Sequence, residues 1–551
     1  MTSEIPLLIA GPIIRRTSPS QLCLWLVTAK PCTPRLEIFL ANRDAPTMTL
    51  DHQQLPVGEH AYIQLLNYQF DEATPLPEDE RIEYDLKLSH DSGSSLISEL
   101  LKASLYPGEL RPNFVIKRHI DSLLHGSCRK PHYPSPDGLL RVDDRIAQSL
   151  EQPKQRPALL MMSGDQIYAD DVAGPMLVAI HQVIARLKLF AETWQGALLN
   201  DSESLYASPL CYYQREELLP HNKANEALRE RFFGGVSKPI FTTDSAHNHL
   251  ISLAEVLAMY FLVWSPSLWD GIDLSAPDSL STEQLKLYRE ELTAIEAFIP
   301  SLNRIQRCLS HLPVYMIFDD HDITDDWNLT RSWEESAYSH PFSRRIIGNT
   351  LIGYYLCQGW GNDPAPFSNT LAPEVARFLQ DPDSQRQDKL IDQLLEWSHW
   401  HYQLETTPKL LVLDTRTQRW RSESNAAKPS GLMDWESLCA LQQQLMNEPS
   451  VILVSPAPIF GAKLIEAVQR TLTYCGHALA VDAENWMAHP GAANVLLNIF
   501  QHPKTPQRFT ILSGDVHYSF AYDVSIRHRK HSPTCGRSPP AVLKMNSRES
   551  C

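Results

Sequence analysis

The string SGDQIYADD, Ser163 to Asp171, follows the apolar run PALLMM and decides how this chain is read. Two further strings repeat the arrangement: FDDHDITDDWN, Phe318 to Asn328, follows VYMI, and LSGDVHYS, Leu512 to Ser519, grows out of FTIL. Each apolar run is long enough to be a buried strand. Carboxylate and imidazole groups therefore emerge together at strand ends, a pattern expected of a binuclear metal site. In open α/β sheets the crevice beyond the carboxyl ends of the strands is where ligands bind, because loops converge there on a rigid frame.

The chain has 551 residues, more than a single core usually organises, so two domains, or one large domain with an accessory module, are expected. Its 43% hydrophobic and 21% charged content is ordinary for a globular protein. No apolar run approaches the roughly 20 residues of a membrane span. A net charge of -16 argues against general nucleic-acid binding, which depends on Lys and Arg displacing counterions. The N-terminus has no basic leader, and Pro6, Gly11 and Pro12 interrupt any signal-like helix, so a cytoplasmic location is expected. Ten cysteines without regular spacing and without a CxxC pair make neither a disulfide framework nor a structural zinc site.

Short β-type runs (QLCLWLVT, RLEIFL, HAYIQLL, RIEYDLKL) fill residues 1–118, separated by Pro, Gly, Asp and Ser clusters. They predict a small antiparallel β-sandwich. Beyond it, residues 119–530 alternate buried strands with longer helical stretches, an α/β texture, and helical periodicity dominates about 176–310. That stretch is expected to be a helical insertion over the site, with Ser281 or Thr282 capping one helix. KLLVLDTR and VILVSPAP read as further core strands.

Among the individual residues, Asp165 follows a glycine that lets the backbone turn sharply, so its carboxylate can point into the crevice and bridge two ions. Tyr168 is near enough to join it, and a phenolate oxygen suits a hard trivalent ion. The competing reading is a helix-capping Asp and a packed Tyr. In FDDHD, four ionisable groups stand in succession, which is costly unless a cation offsets the charge; the alternative is a solvated acidic turn. Asp515 and His517, spaced i, i+2, can face one side of an extended segment. Cys128 could add a thiolate to a site of oxygen and nitrogen ligands, or be a buried thiol. Arg129 could hold an anionic substrate oxygen, or make an ion pair.

SCRKP, GDQIYADD, DDHDITDDW, LDTR, NWMAHPGAANVLL and LSGDVHYS together resemble the alkaline phosphatase D (PhoD-like) group of calcineurin-like metallophosphoesterases, over most of the chain. The resemblance implies an N-terminal β-sandwich followed by a four-layer αββα metallophosphatase domain. It also implies metal ligation by Cys128, Asp165, Tyr168, Asp320, Asp515 and His517. Asp320 falls where the superfamily has a metal-binding Asn, and His321 falls on the histidine that assists the leaving group. Iron with calcium is the metal pair associated with that group, with Mn, Mg or Zn as alternatives. Two departures stand out. The superfamily's opening Asp-x-His motif is absent, with Cys128 in its region, and no middle histidine follows VILVSPAPIFG.

The function expected is metal-assisted hydrolysis of a small phosphate ester, mono- or diester, with Asp165 and His321 as catalytic residues and Arg129 at the substrate. A metal-binding pseudoenzyme or regulatory module and a nuclease are the competing readings. Asp320 beside His321 argues against the former, since a binding module needs no proton donor. The oligomeric state is left open. The segment after Ile526 shows no strand or helix period. Codons compatible with it admit a shifted frame, starting at the last base of the Thr534 codon, that reads LWQITSSGIENEFP, similar to the WQ-x-TSSG continuation of PhoD-like proteins. Residues 535–551 are therefore expected to be a frameshifted, non-native and disordered tail.

Overall fold

The computed structural model describes residues 4–41, 43–220, 241, 246–423, 425–426, 428–460, 485–516, 521, 523–525 and 534–536. It is a mixed α/β structure with several sheets. The first part contains β1 (Leu8–Ser18), β2 (Gln21–Thr28), β3 (Thr33–Phe39), β4 (Met48–Gly58), β5 (Ala61–Phe70), β6 (Ile82–His90), β7 (Gly93–Leu96) and β8 (Asn113–Phe114). They form two antiparallel sheets, ordered β1-β2-β5-β4 and β3-β6-β7, with β8 also pairing β6.

Strand β2 spans the whole of QLCLWLVT, and its alternation explains how the sheets pack. Leu22, Leu24 and Leu26 face one way and share a core with Leu36, Ile38, Tyr84, Leu86 and Leu88 of the second sheet. Cys23, Trp25 and Val27 face the other way and belong to the large core of the rest of the molecule. Trp25 sets its ring edge-on to Trp264 at 5.3 Å, and its indole N–H donates to the Leu356 carbonyl at 2.8 Å. Truncating such a fully buried Trp to Ala typically costs about 3–5 kcal/mol. Strand β2 is thus buried on both faces of its sheet, whereas Thr49, Leu50 and Asp51 of the edge strand β4 are exposed.

The second part carries β9 (Leu124–Gly126), β10 (Leu160–Ser163) and β11 (Val314–Ile317), parallel and ordered β11-β10-β9. A six-stranded sheet contains β12 (Tyr402–Leu404), β13 (Lys409–Val412), β14 (Ser450–Ser455), β15 (Arg508–Ser513), β16 (Asp523–Ser525) and β17 (Thr534–Gly536), ordered β12-β13-β14-β15-β17-β16. Its central strands β13, β14 and β15 run parallel. Tyr402, Leu410, Val412, Ile452 and Val454 join the β10 and β11 side chains in one core, while Leu411, Val451, Leu453 and Ile511 face helices Trp435–Leu445 and Pro490–Gln501. The Tyr402 hydroxyl ties the two sheets by donating to the Met316 carbonyl at 2.9 Å.

Within 176–310 the helix Thr282–Phe298 starts at Ser281, whose hydroxyl accepts from Gln284 N at 3.2 Å while the Gln284 side chain accepts from Ser281 N at 2.8 Å. Every residue of the helix Leu253–Trp264 is buried, and all of them except Glu255 are apolar or aromatic. It packs on β1 and on the helix Pro341–Tyr354, so this segment contributes to the central core. Among the described residues no helix is long and apolar enough to cross a membrane. Of the segment expected to be a non-native tail, Cys535 and Gly536 belong to β17, which pairs with β15 and β16; residues 537–551 lie outside the described residues.

Candidate metal centre

Parallel pairing brings the carboxyl ends of β9, β10 and β11 to one edge and those of β13, β14 and β15 to another, and the two edges meet. Gly514 is the closest approach: a Cβ there would lie 2.3 Å from the Ser163 carbonyl oxygen and 2.8 Å from the Ser127 Cβ. Gly164, at φ +110, has the same role towards β11, since its Cβ would sit 2.6 Å from the Asp319 Cβ. Three candidate ligands then occupy the left-handed region, Cys128 (φ 57), Asp165 (φ 53) and Asp515 (φ 66), which is uncommon for residues other than glycine and clusters at functional turns. Backbone bonds hold the turns together: Cys128 N donates to Gly164 O at 3.1 Å and Arg129 N to Asp165 O at 2.8 Å.

Single oxygens of Asp165, Asp319 and Asp320 lie within 4.8 Å of one another, and so do ligand atoms of Asp320, His321 and Asp325; either group could hold a metal ion. Asp165 is buried, and its Oδ1 has no hydrogen-bond partner. Burial pushes its pKa well above the ordinary range; His321 opposes the rise, and Asp319, Asp320 and Asp322 add to it. A cation among these oxygens removes that penalty, so the donor set fits a hard ion.

The fourth carboxylate of FDDHD has a different job. Asp322 Oδ2 accepts from the backbone N–H groups of Asp165 at 2.9 Å and Asp319 at 3.1 Å. Its Oδ1 accepts from Gln166 N at 3.0 Å, Ile167 N at 3.3 Å and the Gln358 amide at 2.9 Å. It therefore fastens the loop after β10 to the loop after β11. Part of the cation demanded by this acidic run is supplied by the protein itself. The fully buried Arg416 pairs with Asp319 and, at 3.0 Å, with Asp320. Burial alone would raise the Asp320 pKa, but Arg416 and His321 hold it below the usual carboxylate value. Asp414 positions this arginine, accepting from the backbone N–H of Arg416 and of Thr417, each at 2.9 Å. The LDTR string is thus a strand end that delivers a counter-charge.

His321 stacks on Tyr168 with ring centroids 4.6 Å apart, and its Nδ1 lies 2.8 Å from Asp170 Oδ2. That carboxylate also accepts from Asp325 N at 3.0 Å. Burial disfavours a charged imidazole, yet Asp170, Asp320 and Asp165 together raise its pKa well above the ordinary value. With Nδ1–H directed at Asp170, the second proton is carried on Nε2.

The structure brings Cys128, Asp165 and Tyr168 into mutual electrostatic contact, and Cys128 Sγ also reaches the Asp515 carbonyl at 3.7 Å. Burial, with Asp165 adding, raises the Cys128 thiol well above its usual pKa. His517 lies outside the described residues. Arg129, expected at the substrate, is fully buried, with Nε donating to Asp137 Oδ2 at 2.8 Å and its guanidinium 5.1 Å from the Phe298 ring. Its neighbour Lys130 is partly exposed: it pairs with Asp171, keeps 27% of its side chain exposed and sets Nζ 5.5 Å from the Tyr168 ring centroid. Which of the adjacent Arg129 and Lys130 is buried depends on the path of the chain after the left-handed Cys128, which the sequence does not display. Asp170 as partner of His321, Asp319 as a cluster member and Arg416 as counter-charge lie inside the quoted strings, but nothing in the strings themselves distinguishes these roles. NWMAHPGAANVLL is structural over its described length: the Trp486 indole donates to Ser455 Oγ at 3.1 Å, and His489 caps the helix Pro490–Gln501.

No protein-family model matches the chain, and no curated protein matches it. Among solved structures, the crystal structure of amylomaltase from Corynebacterium glutamicum aligns over 91% of this chain and 75% of its own, at 10% identity and a TM-score of 0.17. A likeness that weak carries no argument about fold or activity.

Proposed function

We propose that this chain is a metal-dependent phosphoric ester hydrolase of the PhoD-like kind, with an N-terminal β-sandwich and an αββα catalytic domain. The observation that carries the reading is the meeting of Asp165, Asp319 and Asp320 within 4.8 Å, beside a histidine whose tautomer is set by a buried carboxylate. Asp165, Asp319 and Asp320 would hold one ion, with Cys128 and Tyr168 against Asp165, and Asp320 with Asp325 would hold a second. Thiolate and phenolate donors favour iron at the first position, and the carboxylates of Asp320 and Asp325, with His321 kept for proton transfer, favour calcium at the second; Mn, Mg or Zn are the alternatives. When bound, such metals activate water and polarise phosphoryl oxygens.

The protein's own groups supply the rest. Lys130 holds a peripheral oxygen of the ester by a charge-assisted hydrogen bond. His321 donates its Nε2 proton to the departing alkoxide, and Asp170 steadies the imidazolium beforehand. Arg416 balances Asp319 and Asp320. Monoesters and diesters both satisfy these roles. A regulatory metal-binding module would need neither the His321–Asp170 pair nor a partly exposed lysine beside Tyr168. The test is turnover of chromogenic phosphate mono- and diesters by metal-reconstituted protein, with a chelator control and an oligonucleotide arm for a nuclease. Metal binding without turnover of any of these would leave the regulatory module standing.

A further inference from the structure

Away from the carboxylates, the helical segment buries a second group of ionisable side chains that the proposed hydrolysis does not use. Cys211 is fully buried, and around it stand His181 of the helix Gly174–Leu187, Glu255 of the helix Leu253–Trp264, and Arg215. Arg215 Nη2 donates to Cys211 Sγ at 3.5 Å and to Glu255 Oε1 at 2.7 Å. His181 Nε2 lies 2.9 Å from the same Glu255 oxygen, and its Nδ1 lies 2.8 Å from the Tyr212 hydroxyl and 4.0 Å from Cys211 Sγ. Glu255 Oε2 is fixed by Ile251 N at 2.9 Å and Ser252 N at 3.0 Å. Three elements thus converge on one thiol with a cysteine, a histidine and a carboxylate in sequence, and with an arginine across them.

The charge count shows why this arrangement differs from a satisfied core. With Glu255 and Arg215 ionised, the group is neutral whether Cys211 and His181 are thiol and imidazole or thiolate and imidazolium. Moving the proton from sulfur to imidazole therefore adds no net buried charge, and Arg215 favours the thiolate. Burial alone would raise the Cys211 pKa, but Arg215 and His181 lower it below the usual thiol value. By contrast, Cys308 and Cys357, equally buried, are raised well above it by desolvation.

We propose that Cys211 is an oxidation site, whose thiolate is converted to a sulfenic acid by hydrogen peroxide. The thiolate attacks one peroxide oxygen: the S–O bond forms as the O–O bond breaks, sulfur is oxidised by two electrons, and the peroxide is reduced. The departing hydroxide takes the proton of the His181 imidazolium and leaves as water, so that Cys–SOH and neutral imidazole remain. Arg215 offers a donor to the sulfur before the step and to the leaving oxygen during it. The oxidant has to be about the size of water, because the sulfur is covered while the adjoining His181 side chain retains only 12% exposure. The sulfenic acid is the reversible first stage of thiol oxidation.

The test treats the folded full chain with hydrogen peroxide for graded times. Each sample is then quenched into denaturant containing dimedone and an alkylating agent, and modification of each cysteine is read by peptide mass spectrometry. Cys211 is expected to acquire the dimedone adduct at least about tenfold faster than Cys308 and Cys357 in the same molecules, as thiolate character dictates. Arg215→Lys, which keeps the charge but loses the planar fork, is expected to slow it if the variant folds. Equal rates at the three cysteines, or reaction of Cys211 only once the protein unfolds, would overturn the proposal without reference to the variant or to hydrolysis.

Discussion

Asp322 Oδ2 accepts the backbone N–H of Asp165 at 2.9 Å, joining two strand-end loops that are 157 residues apart in the chain. Through this bond and its four companions, a carboxylate that looks from the sequence like one more metal ligand sets the positions of the ligands instead. Asp322→Asn replaces an acceptor oxygen by an N–H₂ group facing backbone donors. A loss of stability of about 2–4 kcal/mol is expected, since buried donors are left without an acceptor. Chemical denaturation measures it, and metal content should fall in parallel because Asp165 and Asp319 lose their shared anchor. Unchanged stability would mean that the loops are held by other contacts.

Acid sensitivity has a separate source. Burial, with Arg156 close by, holds the His311 pKa down at about 3, against an ordinary value of 6.5. Its Nδ1 lies 2.7 Å from the Arg307 carbonyl, and its buried Nε2 has no partner to share a proton with. Between these two pKa values the unfolded chain binds the proton and the folded chain does not. His311 therefore lowers stability progressively as pH falls from about 6.5 towards 3, by at most about 1.4 kcal/mol per pH unit. His311→Phe keeps the edge contact with Tyr106 and removes the titration. Relative to the parent, the variant should lose less stability between pH 7 and pH 5 in denaturant melts, although it forfeits one hydrogen bond at neutral pH.

Strand ends and their acidic strings were legible because a short apolar run followed by Gly-Asp or Asp-Asp-His needs no tertiary information. β10, β11 and β15 lie where PALLMM, VYMI and FTIL place them. What the strings do not reveal is the division of labour inside them. Asp319, Asp320 and Asp322 are equivalent as letters, but the first two pair with Arg416, Asp320 alone of them lies in both candidate metal groups, and Asp322 binds five donors. Those roles depend on which loops meet across the two sheets. The same limit applies to SCRKP, where Ser127, Cys128 and Arg129 are buried in succession and Lys130 is partly exposed. The all-buried helix Leu253–Trp264 was also hidden, because a nearly continuous apolar run around the single carboxylate of Glu255 marks burial without naming the neighbours.

Lys130 should act on binding more than on chemistry. In Lys130→Ala the ester loses a peripheral cation that lies outside the carboxylate cluster, so KM is expected to rise about five- to tenfold while kcat changes little. Arg129→Lys should instead reduce stability, because it breaks a buried pair with Asp137. Steady-state kinetics on one substrate, beside a melting curve for each variant, separates the two. A rise in KM for the Arg129 variant with unaltered melting would return the substrate role to Arg129.

Tyr168 offers a spectroscopic handle on metal identity. If ferric iron is the ion beside Asp165, its bond to the phenolate gives a visible charge-transfer band that disappears in Tyr168→Phe. The ring also stacks on His321, so the variant retains that contact while losing only the hydroxyl. Iron-containing protein without colour would place iron away from Tyr168, and colourless active protein without iron would reject the ferric assignment while leaving hydrolysis intact.

Metal binding and proton transfer should separate in three variants. Asp165→Asn removes charge from the buried cluster and is expected to lower both metal content and turnover, because its orphan oxygen is the atom best placed to need a cation. His321→Ala should keep most of the metal but slow turnover by about 10²- to 10⁴-fold, the usual contribution of a positioned general acid. Asp170→Asn preserves shape and loses the charge that fixes the His321 tautomer, so a smaller loss of about 10- to 100-fold is expected. Leaving-group dependence is the measurement that decides the role. Esters of acidic phenols depart without help and should be slowed least by His321→Ala, whereas alkyl esters need the proton and should be slowed most. Equal slowing of both, with metal content unchanged, would remove His321 from proton transfer and favour ligation through the group it forms with Asp320 and Asp325.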